Sequence, residues 1–148
     1  MINGALKDRP AGLTITTHIC RGNFKSTFLF SGGYGPVAKY LAQLDYDGFF
    51  LEYDSDRAGD FSPLATIWNQ RPDVRIVLGL VTSKSGDLED QAAVIKRIHE
   101  AAEHVPLTNL CLSPQCGFAS TEEGNILTED QEWQKLKLIK SIADEVWN

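Results

Sequence analysis

Val74-Arg75-Ile76-Val77-Leu78-Gly79-Leu80-Val81 carries a single charge and is bounded by Pro72-Asp73 before it and Thr82-Ser83 after it. A short apolar run, rich in β-branched residues and flanked by turn formers, reads as a strand covered by helices in a parallel sheet. Working outward, three more runs have the same character: Leu13–Ile19, Gly48–Tyr53 and Asn109–Leu112. Helical patterns separate them. Pro36 suits a first helical position, with Val37, Tyr40, Leu41 and Leu44 on one face. Pro63 opens a second, with Leu64, Ile67 and Trp68. Asp87 precedes a third, with Ala92, Ile95, Ile98 and Ala102 at helical spacing. Thr128 and Gln131 make a capping box for a fourth, with Trp133, Leu136, Ile139, Ala143 and Val146 following. Strand then helix therefore recurs four times, at the spacing of about 30 residues that a βαβ unit needs. The fold class is α/β. Four such units make half of a (β/α)8 TIM-like barrel, and they also suit a small open α/β sheet.

The length of 148 residues fits one domain, with 43% hydrophobic and 23% charged residues. Residues 1–12 are polar, hold Pro10 and Gly12, and read as a lead-in to a domain over 13–148. The net charge of -6, with no Lys/Arg run, argues against nucleic acid and anionic membranes as partners. No apolar run approaches the ~20 residues of a membrane span. Three cysteines is an odd count without a secretory signal. We read thiols kept reduced in the cytoplasm for metal or core roles.

Chemistry gathers where the apolar runs end. His18 and Cys20 stand two apart, so a strand points both to one face, as chelation of one ion requires. Glu52 closes Gly48-Phe49-Phe50-Leu51, and a carboxylate after so apolar a run needs a partner. Its bland reading is a solvated strand end or a pair with Arg57. Cys116 lies in Pro114-Gln115-Cys116-Gly117, a sharp turn that would hold the sulfur at a strand terminus; its bland reading is an inert buried thiol. The four offer one imidazole nitrogen, two thiolates and one carboxylate oxygen, a set that suits zinc. Their placement favours the barrel, whose chemistry sits at the C-terminal strand ends, although open sheets share that rule. Cys111, inside Leu110-Cys111-Leu112, reads as core packing. The polar stretch from Tyr53 to Asp60 either orients Glu52 or forms a solvated loop. Lys84 either faces the site or is solvated. Gly32-Gly33-Tyr34-Gly35 lacks the Lys-Ser/Thr of a phosphate loop and reads as a turn. His99 and His104 read as surface residues, and Trp68, Trp133 and Trp147 as packing of the outer helices.

Thr17-His18-Ile19-Cys20, Phe50-Leu51-Glu52 and Ser113-Pro114-Gln115-Cys116-Gly117 resemble the C-terminal catalytic barrel of cobalamin-independent methionine synthase. The resemblance runs in order from about Leu13 to the end. It is nearest to short, single-barrel members, through Phe28-Leu29-Phe30-Ser31-Gly32-Gly33-Tyr34 and Leu51-Glu52-Tyr53-Asp54. It implies zinc held by His18, Cys20, Glu52 and Cys116. It also implies a methyltransferase of methionine biosynthesis, moving a methyl group from a methyltetrahydrofolate-type donor to homocysteine. Where classical members place a histidine after the third strand of this half, Lys84 stands, so Lys84 joins Glu52 as a candidate catalytic residue. The family's first four βα units are absent here. Two copies of this chain would supply eight strands, so a homodimer that completes a barrel is expected.

Overall fold

The computed structural model describes residues 1–29, 31–119 and 121–148. The apolar runs form four strands: β1 (Thr16–Ile19), β2 (Gly48–Glu52), β3 (Arg75–Val81) and β4 (Leu110–Pro114). They pair in chain order β1-β2-β3-β4, all parallel. The first run is ordered as a strand only from Thr16, and the last extends to Pro114. The helices are α1 (Ile2–Leu6), α2 (Gly35–Leu41), α3 (Ser62–Gln70), α4 (Gln91–Ala102) and α5 (Glu129–Trp147).

Sequential parallel order, with a helix at each crossover, places every crossover helix on the same side of the sheet. The core bears this out. Phe49, Leu51, Ile76, Leu78, Leu80 and Leu110 pack with Ala38 and Leu41 of α2, Leu64 and Ile67 of α3, Val94, Ile98 and Ala101 of α4, and Ile142 of α5. This is four βα units of a TIM-barrel-like sheet rather than a doubly wound one. The register puts His18, Phe50, Val77 and Cys111 side by side on the opposite face, with Glu52, Gly79 and Ser113 in the row above. Among the described residues, the helices of the core cluster pack on the other face. Gly79 suits the crowding there: a Cβ would stand 3.0 Å from the Leu51 carbonyl oxygen and 3.4 Å from Glu52 Cα.

Several local expectations change in the folded chain. Cys111 is half-buried on the open face, because Leu110 and Leu112 take the inward positions on either side of it. Asp90 caps α4, its side chain accepting the Ala93 N–H at 2.8 Å, and the buried stripe is Val94, Ile98 and Ala101. Asp87 lies before the helix, in the β3–α4 loop. In α2 the buried positions are Ala38 and Leu41, while Val37 and Tyr40 face out. The capping box of α5 forms as expected, but its buried residues are Lys135 and Ile142, and Trp133 is 54% exposed. Lys135 turns inward because its ammonium reaches the Asp87 carbonyl at 2.6 Å and both Glu89 oxygens at 3.2 and 3.1 Å. Trp68 and Trp147 do pack on the core. His99 is exposed and His104 half-buried. Residues 1–12 hold α1, tied to the body where Asn3 donates to the Gln43 carbonyl and accepts the Asp45 N–H. No helix among the described residues is long and apolar enough to cross a membrane.

Candidate metal centre

Three parallel strands end at the same edge, and each delivers donors there. β1 brings His18 and, one residue past its end, Cys20; β2 ends on Glu52; the turn after β4 brings Cys116. One donor atom from each of these four residues lies within 4.8 Å of the other three. Donors around one tetrahedral zinc stand roughly 3.3–3.8 Å apart, given metal–ligand bonds of 2.0–2.3 Å, so a small contraction closes the set.

Glu52 is fully buried. Its Oε2 accepts the Arg21 N–H at 3.1 Å and lies 3.5 Å from the Arg57 guanidinium. Its Oε1 lies 3.3 Å from His18 Nε2, yet it is buried with no hydrogen-bond partner of good geometry. A carboxylate oxygen with no hydrogen bond, set among two thiols and an imidazole, completes a donor set of the kind zinc takes. The residues present therefore fit zinc.

The ionisation of the four is mutual. Glu52 draws the His18 pKa above its ordinary value, against the lowering effect of burial. Burial alone would raise the Glu52 carboxyl. The neighbouring His18, Cys116 and Lys84 outweigh it and hold the carboxyl below its usual range. Burial also opposes ionisation of Cys20, but the Gly22 N–H at 3.3 Å from its sulfur, with His18 and Cys116, brings its pKa down. Cys116 is pushed up to about 12, by burial first and by Glu52 next.

The surrounding residues hold the donors in place. The buried Tyr34 hydroxyl takes the Glu52 N–H at 2.7 Å and donates to the Glu52 carbonyl at 3.2 Å, bridging the strand end. Asn23 Nδ2 donates to Ser83 Oγ and to the Gly117 carbonyl, which Asn125 also reaches. The turn bearing Cys116 is thereby stitched to the loops after β1 and β3. Lys84 is turned inward, its ammonium donating to Gln115 Oε1 and lying 3.7 Å from Asp54 Oδ2. Arg57 binds Asp54 Oδ1 through Nε at 3.2 Å and NH2 at 3.0 Å, so part of the Tyr53–Asp60 stretch does orient Glu52. The glycine turn docks on this stretch: the Gly32 N–H donates to the Arg57 carbonyl. The sequence carries no signal for Arg21 or Asn23, and for Tyr34 only the glycine-tyrosine turn. Phe30, within the motif compared above, lies outside the described residues.

A model of the cobalamin-independent synthase catalytic domain matches residues 9–142. The YxjH and YxjG proteins of Bacillus subtilis are 59% and 56% identical over 147 residues; the match covers 99% of this chain and 38% of each relative. A Listeria monocytogenes protein assigned as a vitamin-B12-independent methionine synthase superposes with a TM-score of 0.75 at 46% identity. That superposition covers 99% of this chain and 39% of that one. A B12-independent methionine synthase from Shewanella sp. W3-18-1, solved with selenomethionine, gives 0.71 at 20% identity over 92% of this chain and 40% of its own, a likeness of fold.

Proposed function

The chain belongs to the cobalamin-independent synthase catalytic-domain family, and on that premise we propose that it serves zinc-dependent methyl transfer to a thiol. The thiol is homocysteine, the product methionine, and the donor a methyltetrahydrofolate-type compound. The observation that carries the reading is the convergence of His18, Cys20, Glu52 and Cys116 within 4.8 Å at one edge of the sheet. Bound there, zinc would supply the Lewis acidity that keeps a substrate thiol ionised at neutral pH.

The chain's own residues divide the remaining work. Cys20 and Cys116 would anchor the ion through sulfur, and their thiolate charge would keep a neighbouring sulfur nucleophilic. His18 presents nitrogen from a strand end. Glu52 would hold the ion through one carboxylate oxygen, as the exchangeable member of the set. Lys84, held by Gln115 and Asp54, is assigned the role of proton source. As the substrate sulfur forms its bond to the methyl carbon, the donor's nitrogen–carbon bond breaks. The nitrogen keeps that electron pair and takes a proton from the Lys84 ammonium.

Residues 13–148 are assigned to the C-terminal half of a barrel and 1–12 to a lead-in, in a reducing cytoplasm that suits two thiolates. The chain spans 38% of the B. subtilis relatives. The outer edges of β1 and β4 and the uncovered face support closure by four further βα units, which a second copy of this chain would supply.

Elemental analysis should find about one zinc per chain, and the pure chain should methylate homocysteine from a polyglutamylated methyltetrahydrofolate. Zinc without turnover, alone or with the four missing units supplied, supports a rival reading: a zinc-holding half-barrel that acts as an interaction module. Absence of zinc overturns both.

A further inference from the structure

Arg57 stands where it controls what Glu52 can do. Its side chain is 8% exposed and that of Glu52 is fully buried. The guanidinium lies 3.5 Å from Glu52 Oε2, is forked onto Asp54 Oδ1, and stacks 4.6 Å above the Phe28 ring. Its main-chain carbonyl accepts Arg21 NH2 at 3.0 Å and the Gly32 N–H at 2.9 Å. These contacts on several sides fix its position. With Oε2 occupied by Arg57 and by the Arg21 N–H, only Oε1 faces His18 and the two sulfurs.

We propose that Arg57 is a positioning residue that makes Glu52 a single-oxygen, exchangeable metal donor and remains as its counter-charge when a substrate sulfur takes its place. The proposal rests on the zinc-site reading above. Its physical basis is the cost of a buried unpaired carboxylate. A glutamate released from a metal inside the protein would be such a group. Beside Arg57 it is not, because the cation already compensates it before and after the exchange. The guanidinium also draws electron density from the carboxylate, which weakens its hold on the metal relative to an incoming thiolate. The proton of the incoming thiol leaves to solvent, and the carboxylate stays ionised.

The test uses the full chain loaded with zinc or cobalt(II), and homocysteine as the thiol. Wild-type protein should add one sulfur ligand and lose one oxygen ligand by X-ray absorption. Its infrared difference spectrum should show a carboxylate passing from metal-bound to free and ionised. Arg57→Met should weaken thiol binding about tenfold or more, in the range usual for groups that orient metal ligands, with two cysteine sulfurs still bound to cobalt at rest. Arg57→Lys should restore a large part of the affinity. Thiol affinity unchanged in Arg57→Met, or a carboxylate that stays metal-bound in thiol-saturated wild type, overturns the proposal alone. The wild-type infrared experiment decides even where the variants fold poorly. Wild-type protein that takes up no metal, or adds no sulfur, overturns the underlying reading and the proposal with it.

Discussion

Asp47 immediately precedes β2 and Glu52 ends it, and the folded chain treats their carboxylates in opposite ways. Asp47, just before β2, has both oxygens committed: Arg9 binds them in parallel at 2.8 and 3.0 Å, and the Ile15 N–H adds a bond of 2.7 Å. Glu52, at the other end, is more deeply buried and still keeps one oxygen without a hydrogen bond. The closed carboxylate ties the lead-in segment to the bottom of the sheet. The open one faces two thiols and an imidazole. Parallel strands divide labour between their ends in this way, with stability at the N-terminal edge and chemistry at the C-terminal edge.

The comparison breaks first at the metal. Cys20→Ser and Cys116→Ser should each abolish stoichiometric zinc, read by elemental analysis after dialysis, whereas Cys111→Ser should keep it. Full zinc in Cys116→Ser would show that the open edge is not the metal site.

A third carboxylate sharpens the contrast. Glu89 is clamped by the fully buried Lys135 and also accepts the Thr82 N–H at 2.8 Å. Lys135→Met should cost about 1–3 kcal/mol in urea unfolding, because it removes the cation from a carboxylate that is only 19% exposed. A loss within error would mean that water replaces the lysine at no cost.

Exchanging amides for the two strand-end carboxylates tests the division directly. Asp47→Asn should destabilise the fold by about 1 kcal/mol and leave zinc affinity alone, since its ion pair is one-third exposed. Glu52→Gln should lower zinc affinity in chelator competition and, in the metal-free protein, remove the stability its ionised carboxylate gains beside Arg57 and His18. The reverse pattern would invalidate the assignment of the two ends.

The smallest effect is in the pH dependence of the metal-free protein, kept in chelator. The raised His18 pKa adds stability that is complete below the ordinary value of 6.5 and disappears as pH rises through the higher folded value. The lowered Glu52 pKa adds stability that is present above its ordinary value of 4.5 and is lost as pH falls through the lower folded one. Thermal stability should therefore be greatest between these two ordinary values and fall as pH rises above 6.5, with His18→Gln flattening that fall. An unchanged slope in His18→Gln would exclude the His18–Glu52 pair as its source.

By itself the sequence determined the repeating strand-and-helix order, the capping box at Thr128 and Gln131, and the placement of His18, Cys20, Glu52 and Cys116 at strand ends. Those features are written in local periodicity and in breaks of hydropathy, which depend on near neighbours along the chain. Only the tertiary structure decided that Lys135 is buried and Trp133 exposed, that Cys111 faces away from the core, and that Tyr34 and Arg57 hold the Glu52 strand end. Each of these is a choice of partner between distant segments: Lys135 lies 46 residues from Glu89, and Tyr34 lies 18 residues from Glu52. A helical stripe leaves its rotation undecided by about one residue, and the deciding energy comes from the charge or hydroxyl that the fold brings against it.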